Sequence, residues 1–243
     1  MTLFITSSPF IDGAPRAILD PKNGFLDRLR KALPPFPRCL YICSSPDRRD
    51  LNAHFGADVF IAFAEAGIPF SSYHVLDDLN AANAKNLIAN SDLIVLAGGH
   101  VPTQNAFFRK IRLRHLLQNF EGTVMGISAG SMNMAENVYM QPEEPGESAL
   151  EFQRFAPGLG LTWVNVCPHF QKVRNMELDG LRLFEDITFA DSMGRCFFAL
   201  PDGSYFYQYQ NTLLLCGKAY RIKNGILELL TKDGEVLNME VLL

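Results

Sequence analysis

The chain has 243 residues, of which 48% are hydrophobic and 20% are charged, and its formal net charge at pH 7 is -4. This apolar content can supply the core of a large α/β domain, and we predict one domain over residues 1–243. Lys and Arg are scattered along the chain and form no basic run, which argues against nucleic acid as a partner.

The first residues, MTLFITSSPFIDGAP, lack a basic segment followed by an apolar run and a small-residue cleavage site. No stretch reaches 18 uninterrupted apolar residues, so we expect a cytoplasmic protein without a membrane partner. The five cysteines are odd in number, lack a CxxC pair and lie mostly in apolar runs, which is typical of reduced core residues.

Short apolar runs alternate with helical patterns through the first half of the chain. The predicted strands are LFITSS, RCLYICSS, SSYHVL, DLIVLAGG and TVMGIS. The predicted helices between them are GFLDRLRKAL, the stretch from Asp50 to Ala66, LNAANAKNLIA and TQNAFFRKIRLRHLLQNF. This alternation is typical of βαβ units and predicts an α/β fold with a largely parallel central sheet.

The pattern changes after about residue 137. The stretch QPEEPGESALEFQRFAPGLGL is rich in Pro, Gly and Glu and predicts a long connection at the surface. TWVNVCPHF predicts a strand that ends at a histidine, and a helix is predicted from Met176 to Ile187. The tail contains β runs separated by DG, GK and NG turns, which predicts an antiparallel meander added to the sheet.

Ser128 lies in GISAGS, where an apolar strand passes into a helix. The spacing Gly126-x-Ser128-x-Gly130 in this context is typical of a nucleophile elbow, because small flanking residues permit a strained turn. The N–H of Ala129, at the start of the following helix, is a candidate donor to an oxyanion. A serine that only caps the helix is the alternative that the motif leaves open.

Two further strand ends point to the same chemistry. LIVLAGGHVPTQ ends its strand at Gly98 and Gly99, whose bare backbone we expect near the substrate, with one of these amides as the second oxyanion donor. VNVCPHF places His169 at the end of another strand, 41 positions after Ser128, where an imidazole could accept the serine proton. A glycine-rich turn needed only for its shape is the structural alternative for the first stretch.

The turn AGGHVPTQ, the elbow GISAGS and the histidine in PHF, in this order, resemble the serine peptidase family of dipeptidase E (aspartyl dipeptidase) and cyanophycinase. The resemblance covers about residues 38–210 and implies a three-layer α/β sandwich of the class I glutamine amidotransferase-like type. It implies that Ser128 is the nucleophile, that His169 is the general base, and that the amides of Gly99 and Ala129 bind the oxyanion.

The resemblance also implies an acidic partner for the histidine. Asp202, in ALPDGSYF, follows a strand where members of the family carry Glu or Asp in a similar turn, and it ranks first. Glu143, in the QPEEPGE loop, lies 15 positions after Ser128 and ranks second. A turn aspartate before Gly203 and a solvated loop carboxylate are the structural alternatives.

These residues predict amide hydrolysis of a small peptide or isopeptide through an acyl-enzyme. No metal or organic cofactor is expected, because HExxH, clustered Cys and His, and EF-hand patterns are absent from the sequence. If the substrates are Asp-X dipeptides, a cation must bind the substrate carboxylate, and the candidates are Arg174 and Arg182.

Two other functions stay open at this stage. A glutamine amidotransferase-like enzyme would carry Cys at the elbow and an acid two positions after the histidine, whereas this chain has Ser128 and Gln171 there. A catalytically silent relative that binds a small molecule is the second alternative. The sequence is compatible with a monomer or a homodimer.

Overall fold

The structure is a computed structural model that describes residues 1–239 of the chain. The strands of the described residues are β1 (Thr2–Thr6), β2 (Arg38–Ile42), β3 (Ser72–Leu76), β4 (Leu93–Leu96), β5 (Thr123–Ile127), β6 (Asn137–Tyr139), β7 (Phe155–Pro157), β8 (Val166–Cys167), β9 (Glu177–Leu178), β10 (Leu181–Arg182), β11 (Cys196–Ala199), β12 (Tyr205–Tyr209), β13 (Thr212–Cys216), β14 (Ala219–Lys223), β15 (Ile226–Thr231) and β16 (Val236–Asn238).

The α-helices are α1 (Phe25–Ala32), α2 (Arg49–Glu65), α3 (Ala84–Ala89), α4 (Val101–Lys110), α5 (Leu113–Leu116), α6 (Ala129–Met132), α7 (Phe170–Val173) and α8 (Phe189–Asp191). Single turns of 3-10 helix cover Lys22–Gly24 and Ala81–Asn83, and a π-helical segment covers Leu183–Thr188. Among the described residues, no helix combines the length and the apolar character that crossing a bilayer requires.

An eight-stranded sheet, in the order β16-β13-β12-β1-β5-β4-β2-β3, forms the centre of the fold. Five neighbouring strands of this sheet, β1, β5, β4, β2 and β3, run parallel to one another. Beyond β1, strands β12, β13 and β16 continue the sheet with antiparallel pairing. Every residue of β1, β4 and β5 is buried. Because successive side chains of a strand point to opposite faces, this sheet is covered on both sides, and the predicted α/β fold with a largely parallel sheet is confirmed.

A second sheet of four strands, in the order β15-β14-β11-β8, lies outside the central one. The predicted single meander is therefore wrong in one respect: β12, β13 and β16 join the central sheet, whereas β11, β14 and β15 pair with each other and with β8. The strand that precedes His169 belongs to this second sheet. Its parallel register pairs Cys167 with Ala199, so the chain segments that follow β8 and β11 leave the sheet side by side.

Two predicted helices differ in the structure. The helix predicted over 103–120 is broken at Arg112, whose φ of 56° is left-handed, and the break allows Leu113 and Leu117 to be fully buried. The helix predicted from Met176 to Ile187 is wrong, because 177–182 form the hairpin of β9 and β10. Its turn consists of Asp179 and Gly180, both with positive φ, which is the Asp-Gly signal of a two-residue hairpin.

Candidate active site

Ser128 lies at a strained turn between β5 and α6, with φ 51° and ψ -112°. Its N–H donates to the carbonyl oxygen of Ser7, 2.9 Å away, at the end of β1. The side chain of Ser131 donates to the carbonyl oxygen of Thr6 at 2.7 Å, which holds the first turn of α6 on the same strand end. Non-glycine residues hold such backbone angles only where the surroundings enforce them, and such strain is concentrated at functional sites.

The two glycines of the elbow are required by close packing. A Cβ on Gly126 would lie 2.6 Å from the backbone of Ser131, and a Cβ on Gly130 would lie 2.3 Å from the carbonyl oxygen of Leu96. Helix α6 therefore packs directly on the backbones of β4 and β5, which brings Ser128 to the carboxyl edge of the parallel strands. Ligands of open α/β sheets bind at this edge.

His169 reaches Ser128 from the second sheet. It follows β8 and starts α7 with a left-handed φ of 56°. Its Nε2 atom lies 2.9 Å from the Oγ atom of Ser128, and its side chain is 31% exposed, so the ring is open to a ligand. At this distance an imidazole nitrogen can accept a hydrogen bond from a hydroxyl group.

Asp202 contacts the other ring nitrogen, with 2.7 Å between Nδ1 of His169 and Oδ1 of Asp202. Because a carboxylate only accepts hydrogen bonds, Nδ1 must carry the proton, and Nε2 of the neutral ring is left to accept from the hydroxyl of Ser128. The register of β8 and β11 explains why His169 and Asp202 meet. Cys167 is paired with Ala199, His169 follows Cys167 by two positions, and Asp202 follows Ala199 by three. Glu143 makes no such contact with the ring.

The Asp202 side chain is only 3% exposed and is surrounded by donors. The Ser7 hydroxyl donates to Oδ1 at 2.8 Å, and Gln171 and Lys172 donate to Oδ2 at 2.7 and 2.9 Å. Burial by itself would raise the pKa of the Asp202 carboxyl, but the hydrogen bonds and positive charge around it, first of all from His169, outweigh burial and hold this pKa well below its usual range. Asp202 therefore stays ionised.

Sequence reasoning missed Ser7 and interpreted Gln171 only as a missing acid. The Oγ atom of Ser7 accepts the backbone N–H of His169 at 2.7 Å while donating to Asp202, so one hydroxyl fixes both residues. Gln171 donates to the Asp202 carboxylate and accepts the Asp202 N–H at 3.0 Å. The position that holds an acid in amidotransferases thus holds an amide that orients Asp202. A serine at the end of the first predicted strand was the available signal for Ser7.

The glycine turn after β4 lies beside the elbow. A Cβ on Gly98 would lie 3.6 Å from the Cβ of Ser128, and a Cβ on Gly99, which has φ 147°, would lie 2.3 Å from Oγ of Ser44. Gly99 and Ser128 line the same pocket, and Ala129 is the first residue of α6. The first N–H groups of a helix have no acceptor within it, so the Ala129 amide is free of intrahelical bonds. The backbone of Gly99 and Ala129 thus flanks Ser128.

A pocket of about 370 Å³ opens beside Ser128 and His169. Its apolar wall consists of Met132, Pro142, Pro168, Val173, Met176 and Leu183, and Gln141 and Glu143 also line it. Glu143 is an exposed residue that contributes to the pocket wall. Partial desolvation of its carboxyl group by the surrounding protein raises the pKa of Glu143 to about 7, against the opposing effect of His100 and His169.

The loop that carries Glu143 is fixed by a second carboxylate. Glu147 accepts the N–H groups of Glu143 and Glu144 at 2.9 and 3.1 Å, and it pairs with Nε2 of His100 at 2.7 Å. His100, Glu144 and Glu147 bring potential metal ligands within 4.8 Å of one another. Nδ1 of His100 contacts Thr103 at 2.8 Å, so protein contacts account for both ring nitrogens in this cluster.

The two arginines predicted to bind substrate lie elsewhere. Arg174 is exposed and places its guanidinium 5.8 Å from the centre of the Phe170 ring. Arg182 is exposed and binds Asp186 with two side-chain hydrogen bonds of 2.9 and 2.6 Å. Neither arginine lines the pocket.

Comparisons with known proteins give the family and the fold of this chain. Residues 25–203 match the model of peptidase family S51. A crystal structure of a candidate peptidase E from Listeria monocytogenes EGD-e is similar, with a TM-score of 0.60 and 13% identity over 95% of this chain and 98% of that chain, which shows a shared fold. No curated protein matches the sequence. With the family model spanning most of the chain, the chain belongs to peptidase family S51 and is a serine peptidase of the dipeptidase E type.

Proposed function

We propose that this peptidase cleaves an amide bond of a short peptide through an acyl-enzyme on Ser128, with His169 as general base and Asp202 as the acid that orients it. The observation that carries the proposal is the imidazole of His169, which is hydrogen-bonded to the Ser128 hydroxyl at 2.9 Å and to the Asp202 carboxylate at 2.7 Å. A hydroxyl, an imidazole and a buried carboxylate in this order are the parts that acyl transfer requires.

In the first step, Oγ of Ser128 attacks the substrate carbonyl carbon while Nε2 of His169 takes the hydroxyl proton. The ionised Asp202 accepts the Nδ1 proton in a hydrogen bond and stabilises the imidazolium. The imidazolium then protonates the leaving amine, the C–N bond breaks, and an ester to Ser128 is left. Water attacks this ester with His169 again as base, which releases the acid and restores the hydroxyl.

The negative charge that develops on the carbonyl oxygen needs donors that are already in place. We assign this role to the backbone N–H groups of Gly99 and Ala129, because Gly99 lines the pocket together with Ser128 and Ala129 directly follows Ser128 at the start of α6. Fixed donors of this kind contribute about 10²- to 10³-fold each to the rate of acyl transfer.

The pocket favours a small substrate. Its volume of about 370 Å³ lies at the lower end of the range of about 300–1,000 Å³ that is usual for small-molecule sites. A dipeptide or another short peptide fits this size better than an extended polypeptide.

The test is Ser128→Ala, assayed with a panel of Asp-X, β-aspartyl and neutral dipeptides. We expect kcat to fall by at least about 10⁴-fold, because the nucleophile is removed. The matched control is Ser131→Ala. It removes another hydroxyl group from the same helix, one that donates a hydrogen bond to the carbonyl oxygen of Thr6. A fluorophosphonate should label the wild type and Ser131→Ala but not Ser128→Ala. Equal cleavage by wild type and Ser128→Ala would refute the assignment.

A further inference from the structure

The charges at the pocket suggest which substrates the enzyme selects. Among the described residues that line the pocket, Glu143 is the one carboxylate, and neither Lys nor Arg is present. Lys172, on the adjoining helix, is paired with Asp12 at 2.7 Å and with Asp202 at 2.9 Å. No cation on the pocket wall is therefore available to bind an acidic side chain of a substrate.

The Glu143 carboxylate has no ion-pair partner in the described part of the chain, although its backbone is held by Glu147. An unpaired carboxylate on the wall of a concave site is stabilised by a cation that arrives with a ligand. The α-ammonium group of a peptide with a free N-terminus supplies such a cation next to the first peptide bond.

The remaining wall is apolar. Met132 and Leu183 are each only 2% exposed, and Val173 and Met176 are partly buried. Such a wall gains free energy from covering an apolar side chain, whereas an aspartate side chain would lose hydration without a compensating cation. It would also lie in the same pocket as the like charge of Glu143.

We propose that Glu143 binds the α-ammonium group of the substrate and that the apolar wall takes an uncharged N-terminal side chain, such as that of Leu or Met, in preference to Asp. This inference rests on the proposed function, because it places the first peptide bond of the substrate at Ser128. It assigns to Glu143 the recognition of substrate instead of the orientation of His169.

The first experiment compares leucine p-nitroanilide, N-acetyl-leucine p-nitroanilide and aspartate p-nitroanilide with the wild-type enzyme. We expect kcat/KM for the leucine compound to exceed that for each of the other two by about 10- to 100-fold, the range for one hydrogen-bonded charge pair. Faster cleavage of the aspartate compound, or equal cleavage of the acetylated one, would overturn the inference.

The second experiment uses Glu143→Gln, with Glu144→Gln as the matched control because Glu144 is the neighbouring exposed acid outside the pocket lining. We expect Glu143→Gln to lose about 10- to 100-fold in kcat/KM for leucine p-nitroanilide and little for its acetylated form. Glu144→Gln should match the wild type on both compounds. An equal loss on both compounds in Glu143→Gln would assign Glu143 to the chemistry and overturn the inference.

A binding measurement separates this inference from the proposed function. Leucinamide and aspartic acid α-amide are titrated by calorimetry into Ser128→Ala and into Ser128→Ala combined with Glu143→Gln. We expect the first protein to bind leucinamide more tightly and the second to lose that affinity. If leucinamide binds as expected but the wild-type enzyme is neither labelled by the fluorophosphonate nor active, only the proposed function is refuted. Labelling with tighter binding of the aspartyl amide would refute the inference alone.

Discussion

The substitution Asp202→Asn tests the centre of the site, because every partner of this carboxylate is a donor. His169 and Ser7 donate to Oδ1, and Gln171 and Lys172 donate to Oδ2. An asparagine of the same shape has one oxygen and one NH₂ group, so in either orientation its NH₂ group faces two donors. If the NH₂ group faces His169, Nδ1 must become the acceptor and the ring proton moves to Nε2, where it opposes the Ser128 hydroxyl.

The expected loss is large for activity and moderate for stability. An aspartate-to-asparagine change in such a triad lowers kcat by about 10⁴-fold when the geometry stays intact, because the ring is held in the wrong tautomer. Hydrogen bonds to a buried charge contribute about 1.5–3 kcal/mol each, but Gln171 and Lys172 are exposed and can rehydrate. We therefore expect a net loss of about 3 kcal/mol, which corresponds to roughly 6–12 °C in Tm for a chain of this size.

The pH dependence gives a second readout with a definite sign. The pKa of Asp202 is held below its usual range in the folded state, so the ionised carboxylate stabilises the fold above the unfolded pKa of about 3.9. This stabilisation is lost as the pH falls below that value toward the folded pKa. The difference in Tm between wild type and Asp202→Asn should thus be constant from pH 7 to about 5 and shrink below pH 4.

The matched control is Asp12→Asn, because Asp12 also pairs with Lys172 but does not contact His169. Its kcat should stay within about twofold of the wild type, since an exposed ion pair contributes about 0–1 kcal/mol. Steady-state kinetics and thermal melts of the two variants check these values. If Asp202→Asn lowers Tm but retains kcat within tenfold, Asp202 is a structural residue and the proposed triad is wrong.

Two further substitutions test how the site is supported. Ser7→Ala should lower kcat by about 10- to 100-fold with little change in KM, because it frees both His169 and Asp202; an unchanged kcat would make Ser7 dispensable. Gly130→Ala should cost about 3 kcal/mol in thermal melts, since its Cβ would overlap a carbonyl oxygen at 2.3 Å. The control is Gly194→Ala, where the added Cβ would meet no atom within 4 Å and only the left-handed φ opposes the change, at about 1–2 kcal/mol of stability. Equal losses of stability in the two variants would refute the packing argument.

Several expectations from the sequence stay predictions. They are the single domain, the cytoplasmic location, and the choice between monomer and homodimer. The pocket does not support Arg174 and Arg182 as the cations that Asp-X substrates would require, because both residues lie outside its lining. The roles of Ser128, His169 and Asp202 await the variants described above.

The order of strands and helices in the first half of the chain could be determined from the sequence alone, because local periodicity reports burial directly. Residues of β1, β4 and β5 are buried on both faces, and consecutive apolar residues form the middle of each strand. The elbow around Ser128 was visible for a similar reason, since its small residues are adjacent in the chain and their spacing reflects one local turn.

Contacts between distant segments were decided only by the tertiary structure. The break at Arg112 allows Leu113 and Leu117 to be buried. Residues 177–182 form a hairpin, although their sequence pattern is also compatible with the helix that was predicted there. Ser7 meets Asp202 across 195 positions, and Asp202 meets His169 through the register of two strands in a second sheet. Pairing and register depend on surfaces that meet only after folding, so no local pattern specifies them.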